Sequence, residues 1–233
     1  MILIASLLGL IVGWFILWLS SRLPALSTGQ TSPFVSTPKD LSEIARFRSH
    51  TKIKRFDWLP LMVLSLTAVL YTYLWHLLQF SGNFFFLATL CAFLILIAVI
   101  DLKYQLILNI LIVPATGIML LYQFVPTTQA SWYALLGGLI AFLLFLFVGL
   151  VSPGGLGGGD IKLAAFLGVT FGLPYLFWAL LAGVLTGGAT AVFLLLVRKW
   201  KAKTHIPYGP FLCLGAIVAL LVNPVPWLLS LFT

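Results

Sequence analysis

An all-α, polytopic integral membrane protein is the fold class this sequence predicts, and three observations predict it. Of its 233 residues, 62% are hydrophobic and only 8% are charged, with a mean hydropathy of +1.15; a soluble domain carries about 25% charged residues. Apolar runs recur along the whole chain, several near the roughly 20 helical residues that cross a hydrocarbon core. The runs are continuous and Leu-rich, unlike the alternating segments of about 10 residues that build a membrane β-barrel.

The expected spans cover 2–20, 58–78, 83–100, 106–124, 132–151, 163–173, 175–197 and 210–231, about eight transmembrane helices. No Lys or Arg precedes the first and no small-x-small cleavage site follows it, so it reads as a retained span. The sixth is short, as in a tilted or broken helix inside the bundle or a re-entrant segment. Pro224 and Pro226 predict a kink or break in the last. Trp58, Trp75, Trp132, Tyr133 and Trp227 fall near span ends and read as interfacial anchors. Between the first two spans, residues 21–57 are polar. There Thr37 is a candidate N-cap and Pro38 a first helical residue, with Leu41, Ile44 and Ala45 on one face. A solvated loop is the equal alternative. With no internal repeat and no soluble second part, 1–233 reads as a single membrane-embedded domain.

The net charge of +8 would suggest nucleic acid in a soluble protein, but here topology accounts for it and no nucleic-acid partner is expected. With the N-terminus outside and eight crossings, all 13 Lys and Arg fall in the inner segments 21–57, 101–105, 152–162 and 198–209. Both termini then lie outside. If the short sixth segment did not cross, Arg198, Lys199, Lys201 and Lys203 would face outside, so charge favours a true crossing.

Five acidic residues are present. Asp40, Glu43 and Asp57 lie in or beside the polar segment and read as solvated charges. Asp101 directly follows the apolar run Phe84–Ile100, and Asp160 directly precedes the run starting at Ile161. An ionisable group at membrane depth is costly and marks function; the plain alternative is a helix cap or a headgroup-level charge. Both aspartates sit at the inner ends of their spans, so they can converge. Two close carboxylates share a proton and act together on one water, with no metal and no nucleophilic side chain. Ahead of Asp160 runs Pro153-Gly154-Gly155-Leu156-Gly157-Gly158-Gly159, five glycines in six positions. Such a run is unfavourable inside a helix and lets another chain approach its backbone. Lys162 follows, and favours ionisation of Asp160 if its ammonium reaches back. The GxxxxGK[ST] spacing of a phosphate loop is missing.

Cys91 and Cys213 lie in or beside apolar runs, form no CxxC pair, and read as small core residues. His50, His76 and His205 have no metal-pair spacing, so no metal site is expected.

In these residues the sequence resembles the type IV prepilin peptidase (prepilin leader peptidase) family, bacterial membrane enzymes of the GxGD aspartic class. Gly157-Gly158-Gly159-Asp160-Ile161-Lys162-Leu163 is similar to its G-x-G-D-x-K-L, and Ile100-Asp101-Leu102 with Leu106 to the region of its first aspartate. Ile206-Pro207-Tyr208-Gly209-Pro210-Phe211, with Leu214-Gly215-Ala216, resembles its last cytoplasmic loop and final span. Gly13, Phe15 and Arg22-Leu23-Pro24 echo its N-terminal segment.

The resemblance implies an aspartic endopeptidase of the bacterial inner membrane, with Asp101 and Asp160 as a catalytic dyad facing the cytoplasm. It implies prepilins or type II secretion pseudopilins as partners, cut after a Gly to remove a basic leader. Proteolysis needs no cofactor; the N-methylation many members add uses S-adenosylmethionine, and no residue here is assigned to bind it. The sequence also departs from the family. The 21–57 segment lacks the cysteines of the zinc-binding CxxC pairs many members carry. Leu108 and Asn109 stand where Pro-Asp is common, Gly154 stands for an acidic residue, and Leu17 stands for an Asn. Competing readings are a presenilin-like GxGD protease, whose Tyr-Asp motif is missing because Ile100 precedes Asp101, and a small transporter or export component relaying protons.

Overall fold

The computed structural model describes residues 1–27, 58–124, 131–151, 157–196 and 208–222. Among them it contains eight helices: α1 (Ile2–Ser27), α2 (Leu59–Leu78), α3 (Gly82–Tyr104), α4 (Asn109–Gln123), α5 (Ser131–Val151), α6 (Gly158–Phe171), α7 (Tyr175–Leu196) and α8 (Gly209–Val222). Each expected span holds one of them, and the chain is a polytopic helical membrane protein. Helices α1, α2, α3 and α5 contain stretches long and apolar enough to cross a membrane by length and composition. The first helix runs on to Ser27, past the expected end of its span. The expected Thr37 helix and the Pro224–Pro226 break lie outside the described residues.

Local sequence sets several boundaries. Pro60 lies in the first turn of α2, where its missing N–H costs nothing. Ser81 caps α3 by accepting the Phe84 N–H at 3.3 Å. Gly172, at φ +60°, ends α6 with its N–H on the Gly168 carbonyl at 2.9 Å. Pro114 falls inside α4, and such a residue is tolerated in membrane helices, where neighbours re-satisfy the freed carbonyl.

Helix α3 is the centre of the bundle. It is apolar on every side, and 61% of its apolar stretch is buried, against 22% for α1 and 28% for α2 and α5. It packs on α1, α2 and α8, and stacks rings with its other neighbours. Phe93 meets Phe166 of α6 edge-on at 5.4 Å, and Phe86 stacks on Tyr122 of α4 at 4.7 Å. A few polar contacts tie the helices. The Tyr71 hydroxyl donates to the Ala88 carbonyl at 3.2 Å, and Gln123 Nε2 donates to the Val169 carbonyl at 3.3 Å. Such contacts contribute about 0.6 kcal/mol each in a membrane. Trp58, Trp132 and Tyr133 are exposed, as interfacial residues would be, whereas Trp75 is partly buried.

Lipid tails are as apolar as Leu, so close packing rather than the hydrophobic effect must hold membrane helices together. The α5–α6 crossing does this through Gly137 and Gly168. A Cβ on Gly137 would lie 2.5 Å from the Gly168 carbonyl oxygen, and one on Gly168 would strike the Gly137 backbone. Gly168→Ala is therefore expected to destabilise the protein by about 1–3 kcal/mol, seen as a lower thermal midpoint in detergent. Gly188→Ala, where a Cβ meets nothing within 4 Å, should leave the midpoint unchanged or raised.

Candidate active site

Alternation of the helices places the last turn of α3 and the first turns of α6 and α8 at one end of the bundle. Asp101 occupies that last turn of α3. Gln105 stops the helix four residues later, at φ 52° and ψ 41°, with its N–H on the Asp101 carbonyl at 2.8 Å. The Asp101 side chain is only 5% exposed. The Gly209 backbone N–H faces its carboxylate, and Oδ2 has no hydrogen-bond partner among the described residues.

Asp160 is the third residue of α6. Its own N–H donates to the Gly157 carbonyl at 3.0 Å, and its Oδ2 accepts the Gly157 N–H at 3.2 Å. This is one half of a capping box, since glycine has no side chain to complete the other. Asp160 precedes the apolar stretch of α6 and is half-buried. Burial pushes its carboxyl above the usual carboxylate range, and the Gly157 N–H pulls it partly back.

The glycine run follows a steric logic. A Cβ on Gly159 would lie 2.7 Å from the Ile107 Cβ, and one on Gly157 would lie 3.3 Å from Asp160 Oδ2. At Gly158 a Cβ meets nothing within 4 Å. The middle position of the motif is open, Gly159 is closed by Ile107, and Gly157 is tight against the Asp160 carboxylate. Gly158 and Gly159 form the first turn of α6, so they escape most of the penalty glycine incurs in a helix interior.

Asp101 and Asp160, 59 positions apart in the chain, lie within electrostatic reach of each other. Cys213 of α8 lies within reach of both. Both cysteines are buried, as a core role requires, but nothing in the residue pattern signals that Cys213 lies near the carboxylates. Lys162 does not turn back to Asp160. Its Nζ donates to Asn109 Oδ1 at 2.7 Å, because side chains two apart on a helix do not face each other. Asn109 thus joins the start of α4 to the start of α6. Nearby, Lys103 Nζ donates to Oγ of the fully buried Ser20 at 2.8 Å, joining α3 to α1. Neither partner was legible beforehand, since Ser20 lies in an apolar run and Asn109 stood out only as a departure from a motif. His76 falls in the last turn of α2, at the opposite end; His50 and His205 lie outside the described residues. No group of three or more His, Cys, Asp or Glu that could hold a metal ion occurs among the described residues.

Residues 88–192 match the type IV leader peptidase family. Across that segment the chain is similar to this family. A prepilin leader peptidase/N-methyltransferase of Bacillus subtilis is 32% identical over 129 residues, covering 55% of this chain and 52% of the relative. The Pseudomonas aeruginosa protein of the same name is 32% identical over 133 residues, 55% of this chain and 46% of the relative. That of Legionella pneumophila is 33% identical over 168 residues, 67% of this chain and 56% of the relative. The chain thus spans about half the length of these relatives. No solved structure matches it.

The motif geometry is open to a direct check. Gly159→Ala should displace Ile107 and lower the thermal midpoint in detergent, whereas Gly158→Ala should not.

Proposed function

We propose that this chain is an aspartic endopeptidase of the type IV leader peptidase family in which Asp101 and Asp160 are the catalytic pair. One observation carries the reading: two carboxylates from distant parts of the chain lie within electrostatic reach of each other at one end of an apolar bundle. The match of the segment holding both to the type IV leader peptidase family supports it, and does not favour the small-transporter reading.

Two carboxylates at close range in a poorly solvated site cannot both stay ionised, so the pair retains one proton. The ionised member takes a proton from a water between them, and the water oxygen attacks the scissile carbonyl. The protonated member donates to the carbonyl oxygen, giving a gem-diol; as the C–N bond breaks, the acid that took the water proton delivers it to the leaving nitrogen and the other recovers its proton from a diol hydroxyl, which restores the starting pair. Backbone N–H groups of Gly157 and Gly209 hold the two acids in place. The open face at Gly158 is where an extended substrate segment approaches Asp160.

The substrates on this reading are prepilins, cut to remove their leader, as the names of the relatives suggest; the basic character of the leader and type II secretion pseudopilins as further substrates follow from the sequence resemblance. The bundle lies in the bacterial inner membrane as one domain, with the carboxylate end toward the cytoplasm and both termini outside. The basic residues support that orientation. Those names also join N-methyltransferase activity to the peptidase. S-adenosylmethionine, the donor such a step would use, needs partners for an adenine, a ribose and a charged amino acid. A cavity of about 250 Å³ between α6, α7 and α8 is lined by apolar residues including Phe171, Trp178, Val218 and Val222, at the end of the bundle remote from the carboxylates. It does not fit that donor, and the proposal is limited to peptide cleavage.

Asp101→Asn and Asp160→Asn should each lower prepilin processing by at least about 10²–10⁴-fold while the protein still inserts, read by mass spectrometry of the substrate N-terminus after co-expression. Normal processing by both variants would end the reading. The activity of the intact pair should be bell-shaped in pH. The acid limb is protonation of both carboxylates and lies above the ordinary carboxylate range, since burial raises Asp160; the alkaline limb is loss of the shared proton. A monotonic response from acid to neutral pH would count against it. Cysteines introduced beside the two aspartates should label from the cytoplasmic side.

A further inference from the structure

The carboxylate of Asp101 meets the start of α8 at a single residue. Gly209 is the first residue of that helix and is buried. A Cβ built on it would lie 2.5 Å from Asp101 Oδ2, 3.1 Å from Cγ and 3.4 Å from Cβ. No side chain fits there unless the carboxylate moves. The Gly209 N–H faces that same carboxylate, so one residue supplies both the space and the donor.

The element presenting it is held on two sides. Pro210 follows, in a first-turn position where its fixed φ suits a helix start. Pro210, Leu212, Cys213 and Ala216 are buried, and α8 packs extensively on α3 and α7. A Cβ on Gly215 would strike the backbone of Gly183 in α7, so the two helices pack backbone to backbone there. One turn below Gly209 on the same face, Cys213 is 0% exposed and lies within reach of both carboxylates.

We propose that Gly209 is a positioning residue for the carboxylate pair: its absent side chain and its N–H seat Asp101 against the start of α8, facing Asp160. The proposal rests on the peptidase reading and deepens it. A carboxylate displaced by about 1 Å can cost about 10²-fold in rate, so the effect falls on turnover rather than on substrate binding.

The experiment is a double-mutant cycle between Gly209→Ala and Asp101→Ala on the full chain in detergent, with cleavage of a leader-bearing prepilin followed in parallel. Gly209→Ala should lower kcat about 10²-fold, change KM little, and displace the pH profile of kcat. It should also lower the thermal midpoint when Asp101 is present and leave it unchanged in the Asp101→Ala background, where the clashing atoms are gone. If Gly209→Ala alone does not fold, the cycle still decides: recovery in the Asp101→Ala background upholds the proposal, and failure in both backgrounds overturns it. Equal destabilisation in both backgrounds would make Gly209 a packing residue only. Wild-type kcat and pH profile in Gly209→Ala would overturn the proposal as well. An inactive Asp101→Asn beside a fully active Gly209→Ala removes this inference alone, whereas an active Asp101→Asn removes the peptidase reading beneath it.

Discussion

A carboxylate buried at the end of an apolar helix must be compensated by something other than water. Asp101 carries this cost in its sharpest form. It sits in the last turn of α3, against the negative end of that helix's own dipole. The compensation comes from elsewhere in the chain. The first turn of α8 turns its positive end and the Gly209 N–H toward the carboxylate. Asp160 faces the milder problem, since it lies in the first turn of α6 and accepts a backbone N–H from Gly157. Three helix ends must therefore meet at one point, and much of the bundle can be understood as what keeps them there.

That requirement explains where the small residues fall. Helix α6 is locked to α5 through Gly168 and Gly137, and α8 to α7 through Gly215 and Gly183. These backbone-to-backbone contacts bring each pair of helices closer than larger side chains would allow. At the third end, Lys103 reaches buried Ser20 of α1, which ties the last turn of α3 to its neighbour two residues beyond Asp101. The segment matching the family, 88–192, contains both aspartates and helices α4, α5 and α6 entire. Helix α8 lies beyond it, so the donor to Asp101 comes from outside the matched region.

Departures from the family pattern take on physical meaning in this frame. Asn109 stands where an acidic residue is common, yet it still accepts from Lys162 at 2.7 Å. In this chain a neutral amide links the starts of α4 and α6. A surface contact of this kind contributes about 1 kcal/mol or less, so its value lies in aligning the two helix starts rather than in overall stability.

The sequence by itself determined the membrane class and the order of the helices that the described residues form. Those follow from run length, composition and charge bias, which act locally along the chain. It also singled out Asp101 and Asp160, because a carboxylate beside an apolar run is costly wherever the chain goes. Pattern alone could not distinguish the closed position Gly159 from the open one, Gly158, since the Ile107 side chain that fills the space beside Gly159 belongs to another segment. The same holds for the direction of Lys162, the tie between Ser20 and Lys103, and the seating of Asp101 against Gly209. Each is a contact between residues far apart in sequence, and only the packing of one helix on another decides it.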